Sequence, residues 1–304
     1  MIRYFISCIC LVLLSSPAMA GTATDSSGHT STFTTPFSRI ISLYAAHTEN
    51  LFYLGLNNEI IGVSRTEDYP AQALEKTTFN ARDGVEKFLK AEPDLVLIRP
   101  MLERGYPALW RALRRHGITV LSFQPNTIDE MLTYWRTLGH LTGRDMQAEY
   151  MVEDFKEGLV LAEKRLDNFP ENERPSVFFE SIHSRLSTFS PGSMPLFVLE
   201  KAGGINVAKD ARPKRGTNIA AYGLERLLAK ARQIDVYLAQ YGPMNQVSID
   251  RIKNGPAASR IKAVLNNGVF LVDEHLVARP TMRLLQGIET VHQLLHPINH
   301  TATP

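Results

Sequence analysis

Arg144-Asp-Met-Gln-Ala-Glu-Tyr150-Met-Val-Glu-Asp-Phe155-Lys-Glu-Gly-Leu159-Val-Leu-Ala-Glu-Lys-Arg-Leu166-Asp-Asn168 is the stretch that decides the fold. Met146, Tyr150, Val152, Phe155, Leu159 and Leu166 recur among charges at helical spacing, and Phe169-Pro170 ends the run. A helix of that length spans roughly 37 Å, about the width of a small domain. On its N-terminal side, Arg39-Ile-Ile-Ser-Leu43, Glu59-Ile-Ile-Gly-Val63, Asp94-Leu-Val-Leu-Ile98 and Thr119-Val-Leu-Ser-Phe123 read as buried strands. Helical segments separate them, at 49–54, 83–90 and 107–116. On its C-terminal side, strands at 176–180, 234–238 and 269–273 alternate with helices at 196–202, 224–231, 249–253 and 281–295. Such alternation predicts parallel sheets covered by helices. The spacing therefore predicts an α/β chain with two lobes, 37–126 and 169–297, joined through a helical segment, 127–168. Thr127-Ile-Asp-Glu130 is a capping box that opens this segment.

Composition narrows the class. With 33 Lys+Arg against 31 Asp+Glu and no basic run, nothing is available to neutralise a phosphate backbone, so no nucleic-acid partner is expected. Residues 1–20 carry a cationic start at Arg3, an apolar run from Tyr4 to Leu14 and a small-x-small site at Ala18-Met-Ala20. The run is too short to span a bilayer and reads as a cleaved export signal, which places the mature chain in the periplasm. The only two cysteines, Cys8 and Cys10, leave with it. Disulfides, thiolate ligands and cysteine nucleophiles are thereby excluded from the product. Residues 21–36, rich in Ser, Thr and Gly, are expected to be a flexible leader, and 298–304 a tail. There is no internal sequence repeat.

Several fragments carry a resemblance: Arg39-Ile-Ile-Ser-Leu43 with Thr48-Glu49, Asp68-Tyr69-Pro70, Glu92-Pro93-Asp94-Leu-Val-Leu97, Leu138-Gly139-His-Leu-Thr-Gly143, Gly203-Gly204-Ile-Asn206 and Arg279-Pro-Thr-Met-Arg283. Together and in this order they resemble helical-backbone periplasmic binding proteins, which deliver cobalamin, ferric siderophores or heme to ABC importers. The resemblance implies two Rossmann-like lobes joined by a single long α-helix with the ligand cleft between them. It also implies a monomer that meets the membrane only through the importer's permease and ATPase. Two surface glutamates, one per lobe, engage the permease in this family, and the matching positions are Glu86 and Glu225. No intrinsic cofactor is implied. The expected cargo is a ferric siderophore or a corrinoid, with heme as the alternative.

Ligands of open α/β sheets bind beyond the carboxyl ends of the strands. The residues just past the predicted strands include Tyr44, His47, Arg65, Arg99, His183 and Tyr241, and these six form the candidate ligand site. Tyrosines suit a large polycyclic ligand and arginines its carboxylates. His47 and His183 are the candidate axial contacts to the cargo's metal, and no protein metal site is expected otherwise. His292, His296 and His300 are read as surface residues. Two readings of other classes compete. An exported metal-dependent enzyme requires a motif such as Gly-x-Ser-x-Gly, a phosphate loop or His-Glu-x-x-His, and the sequence contains none. A carrier of free zinc or manganese requires a His-rich loop, which is also missing.

Overall fold

The computed structural model describes residues 21–167, 169–213, 217–256 and 258–296. The expected export signal, 1–20, and the expected tail, 298–304, lie outside the described residues.

Two four-stranded parallel sheets form the frame. In the first lobe β3 (Ile40–Ser42), β4 (Ile60–Val63), β5 (Leu95–Ile98) and β6 (Thr119–Ser122) line up in the order β4-β3-β5-β6. In the second, β7 (Ser176–Glu180), β9 (Ile205–Asn206), β12 (Val236–Tyr241) and β13 (Val269–Asp273) line up as β9-β7-β12-β13. The two orders are the same: the first strand of each lobe lies inside, the second flanks it, and the third and fourth extend the other side. The lobes are topological copies without a sequence repeat.

Helices cover the sheets: α1 (Ala45–Tyr53), α2 (Val85–Ala91), α3 (Pro100–Gly105) and α4 (Pro107–Arg115) in the first lobe. Between the lobes come α5 (Ile128–Thr142) and α6 (Asp145–Leu166), the only described segment that carries the chain across. Thr127 caps α5 by accepting from the Glu130 N–H, while the Glu130 carboxylate reaches one residue further than expected, to the Asn126 N–H. α6 is less than one turn shorter than the expected 144–168, and its 22 residues give about 33 Å of rod. The second lobe carries α7 (Met194–Lys201), α8 (Leu224–Lys230), α9 (Ile249–Lys253), α10 (Lys262–Leu265), α11 (Glu274–Val277) and α12 (Leu284–Leu295).

One apolar core runs through both lobes. Leu95 and Leu97 of β5, Trp135 and Leu138 of α5, Met151 and Phe155 of α6, and Val177 and Phe179 of β7 belong to a single buried cluster. Trp135 packs edge-on against Phe155 with ring centroids 5.4 Å apart, and its indole N–H donates to the Pro280 carbonyl at 3.3 Å. Gly158 in α6 sits where a Cβ would come within 2.5 Å of the Leu285 side chain, so the glycine admits α12 rather than softening the rod.

Residues 21–36 correct the expectation of a flexible leader. They contain a hairpin of β1 (Gly21–Thr24) and β2 (Thr30–Phe33) docked on the first lobe. Asp25 is buried at its turn: one carboxylate oxygen accepts the Ser27 and His29 N–H groups, and the other accepts the Ser122 N–H of β6 at 3.0 Å. A second antiparallel sheet, β10 (Arg212–Pro213), β11 (Ile219–Ala221) and β8 (Thr188–Phe189), also falls outside the sequence expectation.

Candidate ligand cleft

The carboxyl ends of the two sheets face each other. The loop leaving β4 carries Asp68, α11 directly after β13 carries His275, and their side chains meet, Nδ1 to carboxylate, at 2.9 Å. Arg279 completes the tie. Its Nη1 lies 2.6 Å from the Glu49 carboxylate on α1 and 2.5 Å from that of Asp68. Arg283 adds weaker contacts to both at 3.5 and 3.6 Å and stacks over the Tyr69 ring. Glu49 is 3% exposed and Arg279 11%, so these are buried charges joining the lobes at one end of the cleft.

Tyr44 and Arg99 stand on the first lobe's wall. Tyr44 is the last extended residue before α1, at the exit of β3, and the Arg99 guanidinium lies over its ring at 4.9 Å. Burial raises the phenol's pKa, opposed by Arg99 and Arg279. On the second lobe's wall are the equivalent exits: His183 follows β7, and Tyr241 ends β12. Tyr241 is exposed, as is Met244 beyond it, and so are Met101 and Tyr69 on the first lobe. At Gly242 a Cβ would lie 2.5 Å from the Glu274 side chain, which keeps the β12 loop tight against α11.

His47 does not belong to this set, which corrects its reading as an axial contact. From Ala45 to Leu51 every residue of α1 is buried. The His47 ring is wholly enclosed: Nε2 meets the Ile98 carbonyl at 2.9 Å and Nδ1 meets the Tyr134 hydroxyl at 2.5 Å. Both ring nitrogens are used, and burial pushes its pKa down to about 4. It is a neutral core histidine. Arg65 also stands apart. Its guanidinium leans toward Asp83 at 3.8 Å with its side chain 62% exposed. His292 and His296 are half-buried and stack on Phe169 instead of projecting as surface residues. Glu86 and Glu225 occupy equivalent places: each is exposed in the first turn of the helix that precedes the third strand of its lobe, behind a glycine N-cap. Neither forms an ion pair among the described residues.

The residues that sequence reasoning missed are those of the tie itself. Glu49 and Arg279 are 230 residues apart, and nothing in one sequence pairs them. Glu67 is a further surprise beside it. One carboxylate oxygen accepts the Ser64 N–H and hydroxyl at 3.2 and 2.7 Å, while the other is buried without a partner. Burial raises its pKa to about 7. A carboxyl raised on folding stabilises the protein below its unfolded pKa, and that contribution is lost as pH rises through about 7. Glu67→Gln is therefore expected to be the more stable protein at pH 8, by about 2–3 kcal/mol in urea unfolding. The gap should close toward pH 4.5. A difference that does not vary with pH would mean that Glu67 titrates normally.

Comparison with known proteins follows this geometry. Residues 40–276 match the family model for periplasmic binding proteins. A vitamin B12-binding protein of Vibrio cholerae is 27% identical over 263 residues, 84% of this chain and 88% of its own. An ABC transporter substrate-binding lipoprotein of Bacillus subtilis is 25% identical over 85% of this chain and 80% of its own. Among solved structures, a possible iron-binding, periplasmic solute-binding protein from Staphylococcus epidermidis superposes with a TM-score of 0.74. It is 26% identical and covers 86% of this chain and 100% of that one.

Proposed function

The chain belongs to the periplasmic binding protein family, and from that premise we propose that its cargo is a bulky metal chelate, a ferric siderophore or a cobalamin-type corrinoid. It hands this cargo to an ABC importer in the inner membrane. The observation that carries the reading is the placement of exposed apolar side chains. Tyr69, Met101, Tyr241 and Met244 all lie at strand exits, and they come from both lobes. Exposed methionine and tyrosine side chains beyond the strand ends of both lobes suit a large, partly apolar ligand. Arg99, held over Tyr44, supplies a cation for the acidic groups of such a ligand. The likeness to a vitamin B12-binding protein supports a corrinoid, and the likeness to a possible iron-binding protein supports a ferric chelate.

Binding needs no chemistry from the protein, and the relatives are binding proteins of transport systems. We read the chain as a non-enzymatic monomer. Its first 20 residues direct it to the periplasm and are removed. Glu86 and Glu225 dock it on the permease.

A thermal-shift panel tests the cargo. Cobalamin, cobinamide, hemin, a ferric trihydroxamate and a ferric catecholate are each added to the purified protein. A chelate present at a hundred times its dissociation constant stabilises by about 2.7 kcal/mol, a shift of several degrees. At least one of them is expected to give it, and Arg99→Ala to reduce it. Zinc and manganese salts are expected to give none. Stabilisation by the bare metals and by no chelate would sink the proposal.

A further inference from the structure

A cavity of about 300 Å³ lies against the tie between the lobes, walled by α1 on one side and by the start of α12 on the other. Its lining includes Glu49, Asn50 and Tyr53 of α1, with Thr281, Arg283 and Gln286 across from them. Three oxygens of this lining are buried with no hydrogen-bond partner among the described residues: Glu49 Oε2, Asn50 Oδ1 and Thr281 Oγ1. Their residues are 5%, 1% and 2% exposed. Polar atoms so placed cost free energy unless something fills the space beside them, and water and ions are the usual occupants.

Neighbouring side chains do not serve the three. Both guanidiniums of the tie go to the other carboxylate oxygen of Glu49: Arg279 Nη1 lies 2.6 Å and Arg283 Nη1 3.5 Å from Oε1. The Asn50 amide is fixed by its Nδ2, which donates to the Pro280 carbonyl at 3.0 Å, so the oxygen is the end left over. The Tyr134 hydroxyl beside Asn50 has its proton committed. His47 Nε2–H donates to the Ile98 carbonyl, which makes Nδ1 the acceptor for Tyr134. At the start of α12 the Leu284 N–H is used by the Thr281 carbonyl and the Leu285 N–H by that of Met282. The buried atoms left over are all oxygens: one of a carboxylate, one of an amide and one of a hydroxyl.

Charge decides between occupants. Glu49, Asp68 and Asp273 take part in the tie, and Glu67 and Glu274 lie in the field of Arg279. Five carboxyl groups thus face two guanidiniums, Arg279 and Arg283, and one imidazole, His275. Tyr53 on the cavity wall donates to a further carboxylate, Asp154 of α6, at 3.1 Å. An anion is repelled here, and water satisfies the oxygens without correcting the charge. Carboxylate and amide oxygens with room for water are the donors that hard cations select. A single carboxylate among neutral oxygens matches one positive charge, whereas calcium is usually held by several carboxylates.

We propose that this cavity binds a monovalent hard cation of the sodium class, held by Glu49 Oε2, Asn50 Oδ1 and Thr281 Oγ1 with waters completing its shell. The site is composite. Glu49 and Asn50 belong to the first lobe and Thr281 to the second, so the cation braces the lobes beside the Arg279 tie. It is separate from any metal in the cargo and does not depend on the cargo's identity.

Thermal unfolding of the cargo-free protein tests this, in sodium chloride and in choline chloride at matched concentrations up to about 200 mM. Sodium is expected to raise the midpoint by about 3 °C over choline, the shift growing with the logarithm of concentration as for any ligand of the folded state. Glu49→Gln should abolish the difference, and Thr281→Val, which keeps the side-chain shape and spares the fold, should more than halve it. Because each protein is compared with itself in two salts, a variant's own loss of stability drops out. ²³Na NMR is the second readout: the protein should broaden the sodium resonance, and Glu49→Gln should remove the excess. Equal midpoints in the two salts overturn the proposal and leave the oxygens to water. A sodium effect that both variants leave intact also overturns it, since the ion then sits elsewhere. Calcium chloride at about 1 mM matching the sodium effect would overturn the monovalent assignment.

Discussion

Arg279→Ala is expected to lower the unfolding free energy by about 3–5 kcal/mol, as removal of one partner from a buried ion pair does. The loss is large because of what stays behind. Glu49, 3% exposed, already has one carboxylate oxygen with no partner, and its other depends on Arg279 at 2.6 Å. Arg283, at 3.5 Å, is too distant to take over without moving. Burial already raises the pKa of Glu49, with Arg279 opposing it, so the variant raises it further. A carboxyl raised in the folded state is stabilising at low pH and loses that contribution as pH rises through its folded pKa. The deficit of Arg279→Ala should accordingly grow from pH 5 to pH 8, where Glu49 must ionise without its partner. Glu49→Gln with Arg279→Met, which removes both charges, should recover most of it. Urea unfolding across that pH range measures this, and a deficit under 1 kcal/mol at pH 8 would mean that the pair is solvated in solution.

The same variant reads out the mechanics of the lobes. Trp135 and Asn50, both on the first-lobe side, donate to the Pro280 carbonyl, and one apolar core runs through α6 into both sheets. The tie of Glu49, Asp68, Arg279 and His275 closes one end of the cleft. With so continuous a core, X-ray scattering of the unaltered protein with and without cargo is expected to differ by a small tilt. The Arg279→Ala variant should show a wider apo form. A large rotation in the unaltered protein would mean that α6 is a hinge and not a strut.

The strands and the linking helix were legible because burial on both faces writes itself into sequence as β-branched runs such as Leu95–Ile98, and a one-sided rod as the spacing of Val152 and Phe155. The hairpin at residues 21–33 was not. Its strands bury little beyond Ala23, and it is held by hydrogen bonds to Asp25, which leave no apolar period to read. The small sheet of β8, β10 and β11 is built from strands of two and three residues, shorter than any periodic signal. Within the candidate site, Tyr44, Arg99, His183 and Tyr241 do stand at the carboxyl ends of β3, β5, β7 and β12. The rule failed at His47, because only three residues past Tyr44 the chain is already inside a helix whose residues 45–51 are all buried.

Glu86→Arg together with Glu225→Arg is expected to reduce cargo uptake by cells about 100-fold or more while leaving the purified protein's stability and cargo affinity unchanged. Each sits in the first turn of a helix whose last turn leads into the third strand of its sheet, and neither immediately follows a strand as the cleft residues do. Both are exposed, so reversal disturbs no buried partner and should stay within about 0.5 kcal/mol in folding stability. Because the lobes share one strand order, the two glutamates form a pseudo-equivalent pair, suited to a partner made of two matching halves. Like charges opposed across an interface cost several kcal/mol, and each 1.4 kcal/mol is tenfold, so two reversals suffice for the predicted loss. Either single reversal should give a smaller defect, and charge-reversed permease arginines should restore uptake to the double variant. Normal uptake by the double variant would remove both residues from the docking surface. A loss of cargo affinity in the purified variant would place them in the ligand site instead.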